Sequence, residues 1–132
     1  MQGIAIEDAK LTCEKFAEYL ANEEHHQPVL ILDLRSFLVY NQSHIKNSIN
    51  ICIPKTLAKR DGFSTKTMES GICKKPEKDL FKQRKGSVIV LYDQNGCEKD
   101  QNGVTIKSFE ALMKEGVSQH VYYLEGFLKL LK

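Results

Sequence analysis

Apolar runs that stop on a polar side chain alternate along this chain with stretches whose apolar residues recur at three- and four-residue steps. The strongest run, Val29 to Asp33, ends on a carboxylate, which suits a buried strand of a parallel sheet whose polar side lies past its carboxyl end. Ser87 to Tyr92, ending on Asp93, predicts a second such strand, Val121 to Leu124 a last one, and Ser48 to Ile53 a further strand-like run. Gly3 to Ile6 reads as a short edge strand. Between these lie the helical patterns. Thr12 is an N-cap for a helix that turns Phe16, Tyr19 and Leu20 to one face and ends near Asn22. Phe37, Leu38, Tyr40 and Asn41 make one short turn, and Pro54 opens a helix over Lys55–Arg60 that Asp61-Gly62 breaks. Pro76 starts another, with Leu80 and Phe81 inward and Lys78, Lys82, Arg84 and Lys85 outward, ended by Gly86. Val104, Ile106, Phe109, Leu112 and Met113 outline an amphipathic helix reaching about Glu115, with Gly116 as its C-cap. Gly126 leads into a terminal helix carrying Phe127, Leu128, Leu130 and Leu131. Phe63 to Pro76 has little periodicity and much Ser, Thr, Lys and Gly, predicting an irregular, mobile connection; Glu23 to Gln27 reads as a polar loop exposing His25 and His26. Strands alternating with helices predict an α/β sheet.

Length changes this picture little: 132 residues make one domain, 1–132, able to bury roughly two-thirds of the surface its unfolded form exposes. There is no internal repeat. An apolar fraction of 42% and a charged fraction of 27% are those of a soluble globule. No run approaches the roughly 18 apolar residues of a membrane span, and the amino terminus lacks a basic-then-apolar signal, so a cytoplasmic or nuclear setting without membrane contact is expected. Cys13, Cys52, Cys73 and Cys97 have neither CxxC spacing nor histidines at finger distances. Reduced thiols are expected, with no metal and no cofactor. Cys13 and Cys52 read as small apolar core residues.

Asp33 and Arg35, two apart on an extended backbone, share a face and predict an ion pair that fixes the turn after the strand. Tyr40, the pair His44-Ile45, and Asn50 follow at fixed spacing. This order, an aspartate, one residue, an arginine, a tyrosine five positions on, His-Ile and an asparagine, resembles the rhodanese-like family. Val39, where that family often has glutamate, and Ser43, where it often has glycine, depart from it. The resemblance runs from about Gly3 to about Leu131 and implies a three-layer fold, a parallel sheet of about five strands with helices on both faces. Within it Asp33, Arg35, Tyr40, His44 and Asn50 are structural, Tyr40 packing with its hydroxyl at the surface.

Chemistry in such a sheet belongs beyond the carboxyl ends of the strands. The active sulfurtransferases of the family carry there a cysteine, two residues, a glycine, one residue and an arginine. This chain has Asp93-Gln94-Asn95-Gly96-Cys97-Glu98: the glycine stands, while Asp93 replaces the nucleophile and Glu98 the cation. Two carboxylates oppose the positive field that a thiolate, phosphate or thiosulfate needs. No cysteine is followed five residues later by an arginine, as a phosphatase loop requires. No catalytic residue is therefore assigned. An enzyme reading has to use Cys97, whose neighbour Glu98 raises its pKa, or Cys73, which lies beside Lys74 and Lys75.

Charge adds a partner. The net charge is only +2, yet residues 55–85 hold ten Lys or Arg against four Asp or Glu. Such a basic face steers an acidic partner to one side. No aromatic residues interleave with Lys74 to Lys85, so nucleic acid is not expected. Lys55-Thr56-Leu57-Ala58-Lys59-Arg60 resembles the kinase-docking helix in the non-catalytic rhodanese-like domains of mitogen-activated protein kinase phosphatases and of fungal protein-tyrosine phosphatases that act on those kinases. Those domains often carry Tyr-Asp at the strand exit, as Tyr92-Asp93 do here. The resemblance implies a regulatory domain, itself no enzyme, of a larger phosphatase. It docks the acidic groove of a mitogen-activated protein kinase through Lys55, Leu57, Lys59 and Arg60, with Phe63 or Met68 as apolar anchor. Two other readings stand beside it: a thiol-dependent sulfurtransferase or phosphatase, and a structural domain packed on a catalytic domain of the same chain.

Overall fold

The computed structural model describes residues 6–22, 27–94 and 103–126. After a 3₁₀ turn, Ile6–Ala9, come β1 (Lys10–Leu11), α1 (Cys13–Ala21), β2 (Val29–Asp33), α2 (Phe37–Gln42), β3 (Ile49–Asn50), α3 (Lys55–Ala58), α4 (Thr65–Ser70), α5 (Lys75–Lys82), β4 (Val88–Tyr92), α6 (Val104–Glu115) and β5 (His120–Leu124). The strands form one sheet in the order β1-β5-β4-β2-β3, every pair parallel. Because the central strands are buried on both faces, their side chains divide by parity between two apolar layers. Leu30, Leu32, Ile89, Leu91, Val121 and Tyr123 pack with Met68, Phe81, Phe109 and Leu112 of α4, α5 and α6. Ile31, Val88, Val90, Tyr92 and Leu124 face the other way, onto Cys13 and Phe16 of α1. This is the expected α/β sheet with helices on both faces.

Caps agree with the sequence where they are chemical. The Thr12 hydroxyl accepts from the Lys15 N–H at 3.2 Å to start α1, and Gly116 ends α6 at φ 71°. Apolar phase was less legible. The face of α1 that meets the sheet runs through Cys13, Phe16 and Tyr19, a three-residue step that turns Leu20 outward, to 47% exposure rather than inward. On α5 only Phe81 is fully buried, and Leu80, about 100° around the helix from it, is 51% exposed. The edge strand is Lys10–Leu11, paired with Tyr123 and Leu124, and not Gly3 to Ile6; Ile6 belongs to the 3₁₀ turn, and residues 3–5 lie outside the described residues. The run Ser48 to Ile53 contributes only two residues to the sheet, and α3 stops at Ala58, so that Lys59 caps it and Arg60 lies beyond. The expected terminal helix and the loop with His25 and His26 fall outside the described residues.

Phe63 to Pro76 is the main correction: it is no irregular, mobile connection. Ser64 starts α4 with a capping box, its hydroxyl accepting from the backbone while the Thr67 hydroxyl is reached by the Ser64 N–H at 3.1 Å. Met68 and Ile72, 0% and 1% exposed, anchor this helix in the core. Met68 is therefore not available as an anchor for a partner. At the helix end, Gly71 lies so close to Cys52 that a Cβ there would stand 2.9 Å from the Cys52 carbonyl oxygen, and the Gly71 carbonyl accepts from Cys52 N–H at 3.0 Å. Truncation of a side chain in a mobile linker leaves stability unchanged. Met68→Ala is expected instead to cost about 2–5 kcal/mol in denaturant unfolding, the range for a buried methionine that leaves a cavity.

Candidate functional site

The sheet reverses its winding between β2 and β4: β3 lies outside β2, while β5 and β1 lie outside β4. The connections leaving β2 and β4 diverge there, and the crevice they open is where an α/β sheet places its ligands. Asp33 and Tyr92 are register partners at these two carboxyl ends, and Asp33 is also the partner of Asn50 on β3.

These three residues and Arg35 form one buried cluster. The Arg35 Nε donates to both Asp33 oxygens at 3.1 Å, its Nη2 donates to Oδ2 at 2.7 Å, and its backbone N–H donates to Oδ1 at 2.8 Å. The Tyr92 hydroxyl donates to Asp33 Oδ2 at 2.6 Å, and its ring lies under the guanidinium, 5.4 Å from centroid to Cζ. Side chains of Asp33 and Arg35 are 0% and 3% exposed. Burial alone would lower the Arg35 pKa; the Asp33 carboxylate outweighs it and holds the pKa up. Burial, then the Asp33 hydrogen bond, pushes the Tyr92 phenol well above 10, so that it remains a donor. The Asn50 amide donates to the Asp33 and Arg35 carbonyls at 3.1 and 3.0 Å. Arg35 Nη2 reaches the Ser43 carbonyl at 2.6 Å, fixing the end of α2.

Tyr40 and His44 complete the motif. The Tyr40 hydroxyl is not at the surface: it donates to the Ser48 carbonyl at 2.7 Å, because the ring is buried and its polar end needs a partner there. His44 is exposed, stacks on Tyr40 at 3.8 Å, and donates through Nδ1 to the Tyr40 carbonyl at 2.8 Å. Its described contacts are those of a structural residue.

Asp93 follows β4 directly. Its Oδ1 accepts from the Tyr123 hydroxyl at 2.7 Å and its Oδ2 from the Thr105 hydroxyl at 2.6 Å, all three being buried. The carboxylate thus joins β4, β5 and the first turn of α6. Gln94 is exposed; Asn95, Gly96, Cys97 and Glu98 lie outside the described residues. Of the other thiols, Cys13 is buried and donates to the Glu125 and Gly126 carbonyls at 3.2 and 3.0 Å, Cys52 is half-buried, and Cys73 is exposed. Among the described residues no group of His, Cys, Asp and Glu is placed to hold a metal ion, and no helix is long and apolar enough to cross a membrane.

The basic residues sit apart from this crevice. Lys55, Lys59 and Arg60 are exposed on and after α3, Leu57 is half-buried, and Phe63 is half-buried with part of its ring against the core. Arg60, Asp61, Gly62 and Phe63 line an open cleft of about 310 Å³ with Lys107, Glu110, Ala111 and Lys114, which share one face of α6. At one end of this segment the Lys107 ammonium donates to the Ala58 carbonyl. At the other, Thr65 Oγ1 donates to Glu115 Oε2 at 2.9 Å, and Arg84 grips the same carboxylate, Nε to Oε1 at 2.8 Å and Nη2 to Oε2. That Arg84 hydrogen bond holds the Glu115 pKa below its ordinary 4.5 against its burial. Sequence reasoning missed Tyr92 as a hydroxyl donor, Ser48, Thr105, Tyr123, Lys107 and the Arg84–Glu115 pair. Most act across elements of the fold, on residues to which no local spacing connects them.

A family model described as a rhodanese-like domain matches residues 15–132. The chain is 30% identical over 115 residues to dual specificity protein phosphatase 6 of Rattus norvegicus, over 81% of this chain and 28% of that protein. It is 32% identical over 91 residues to tyrosine-protein phosphatase 1 of Schizosaccharomyces pombe, over 67% of this chain and 16% of that protein. It thus spans less than a third of the curated relatives it matches. The solved rhodanese-like domain of an Anabaena protein is similar over 87% of this chain and 88% of that one, at TM-score 0.42 and 18% identity.

Asp33→Asn is expected to cost about 3–5 kcal/mol, because it strands a buried guanidinium. Arg35→Ala strands the carboxylate instead, so urea unfolding of the double substitution should show a loss smaller than the sum of the two; strict additivity would mean the groups do not interact. For Glu115, the depressed folded pKa means stability that is present above about pH 4.5 and lost as pH falls through the folded value. The stability difference between the natural chain and Glu115→Gln should accordingly be full at pH 6 and shrink toward pH 3, as followed by thermal unfolding.

Proposed function

The chain belongs to the rhodanese-like domain family, and from that premise we propose that it is a catalytically silent regulatory domain of a protein phosphatase, one that docks the acidic groove of a mitogen-activated protein kinase. The observation that carries the docking reading is the state of Lys59 and Arg60. Both are exposed just past the end of α3, and among the described residues neither has an ion-pair partner, so their charge is available to an acidic surface. Lys55 adds a third cation on the same short element, Leu57 offers a half-buried apolar side chain next to them, and Phe63 lines the adjoining cleft. Two of the matched relatives are phosphatases by name, which is where such a domain would serve as the regulatory part.

Silence rests on Asp93. At the strand exit where active members of the family carry the cysteine nucleophile, this chain has a buried carboxylate already committed to two hydroxyl donors. A carboxylate there repels the anionic substrates that sulfur or phosphoryl transfer requires. The site does positioning work in place of chemistry.

Titration against a panel of purified mitogen-activated protein kinases tests the reading. Saturable binding is expected to one or more of them, weakening as salt rises from about 50 to about 200 mM because the exposed pairs become screened. Lys59→Glu/Arg60→Glu is expected to weaken it by at least ~100-fold, two charge pairs being turned into repulsions. Equal affinity in the reversed variant would sink the assignment.

A further inference from the structure

The segment that carries Lys59 and Arg60 has almost no secondary structure of its own. The helix before it, α3, has four residues, and Asp61-Gly62 makes a turn in which Gly62 stands at φ 84°. Thr65 lies seven positions after Ala58, a span that reaches about 24 Å if extended. Yet both ends are held on α6, Ala58 by Lys107 and Thr65 by Glu115. Those two anchors are eight residues apart, about 12 Å along a helix. The segment is therefore an arch over the cleft of about 310 Å³, which Arg60 helps to line. Ala58, the foot at this end, is itself fully buried, and its carbonyl, one of the helix-end acceptors of α3 that require a donor from elsewhere, is taken by Lys107. Lys107 also brings a cation to the negative end of that helix.

The helix that carries Lys107 is seated by Phe109 and Leu112 in the core, and its start is fastened at the strand exit. Thr105, two residues before Lys107 on α6, donates to Asp93, and the Lys107 N–H donates to the Gly103 carbonyl at 2.8 Å in the first turn. Glu115, at the far end of α6, is fixed by Arg84. We propose that α6 is a splint for the docking segment and that Lys107 is a positioning residue: its ammonium on the Ala58 carbonyl sets the orientation in which Lys59 and Arg60 meet the acidic groove, without itself touching the partner. This deepens the docking reading and rests on it for the partner, but not for the geometry. The Asp93 carboxylate then has a use: it fastens the start of the splint.

Three versions of the full chain test this, natural, Lys107→Met and Lys107→Arg, each read two ways. By hydrogen exchange, the Lys59 and Arg60 amides, bonded to the Lys55 and Leu57 carbonyls, are expected to exchange about tenfold faster in Lys107→Met, the factor that one lost charge-assisted hydrogen bond represents. Amides of Ile89 to Leu91 in β4 should keep their natural rates, showing that the fold is intact, and Lys107→Arg should restore protection. In kinase titrations, Lys107→Met is expected to weaken binding about tenfold while the slope of affinity against salt stays unchanged, since no intermolecular charge pair is removed. Unchanged exchange of Lys59 and Arg60 overturns the splint whatever the kinase does. A reduced salt slope also overturns it, because Lys107 would then be a contact. Faster exchange in a chain that binds no kinase leaves the splint standing and removes the docking reading instead. Should Lys107→Met fail to fold, Lys107→Gln carries the same two readouts.

Discussion

The Asp33 carboxylate is the point from which the rest of the sheet is set. It is fully buried, a condition that costs a carboxylate several kcal/mol unless its lone pairs are occupied. They are, by the Arg35 backbone and guanidinium and by the Tyr92 hydroxyl. Each donor comes from a different constraint: Arg35 from the turn after β2, Tyr92 from the end of β4. A shift of β4 by one residue would carry the Tyr92 side chain to the opposite face and leave the charge without that donor. The cluster adds little to net stability compared with an apolar core, but it makes wrong registers expensive. Asn50 extends the same control to β3, since its amide donates to the Asp33 carbonyl, which also accepts from the Ile51 N–H, and to the Arg35 carbonyl in the turn.

This explains why the motif was visible in the sequence and what it means. Asp33, Arg35 and Asn50 have fixed spacing because Asp33 and Asn50 are register partners and Arg35 must fold back on its neighbour. Tyr40 reaches the Ser48 carbonyl, and His44 covers Tyr40, so the interval between β2 and β3 is tied at several points. None of these side chains needs a substrate to account for it. A conserved-looking constellation at a strand exit is easily taken for an active centre; here its hydrogen bonds close on one another.

Local signals were read well and remote ones were not. The bounds of β2 and the caps at Thr12 and Gly116 were legible, because an apolar run ended by a carboxylate, a hydroxyl before a helix and a glycine after one act within a few residues. The helix α4 was missed because its capping box uses Thr67 in place of the usual Glu or Gln, and because one buried methionine in six residues makes no period. Leu20 and Leu80 were misplaced for a related reason: a helix that meets the core through one or three side chains leaves the phase open by a residue. Tyr92 looked like the last apolar residue of a strand, and its hydroxyl gave no sign of its partner 59 residues away. Of the candidate site, then, the charges at Lys59 and Arg60 were legible, and the geometry that presents them was not.

Asp93 joins these two halves. A strand exit built for chemistry normally leaves a loop of backbone N–H groups open to an anion. Here the buried carboxylate of Asp93 takes that position, and donors reach it from β5 and the first turn of α6, through Tyr123 and Thr105. These two hydroxyl contacts tie the first turn of α6 to the ends of β4 and β5. The same helix carries Lys107 and Glu115, which hold the two ends of the basic arch. One helix therefore connects the strand exit at Asp93 to the segment that carries Lys59 and Arg60.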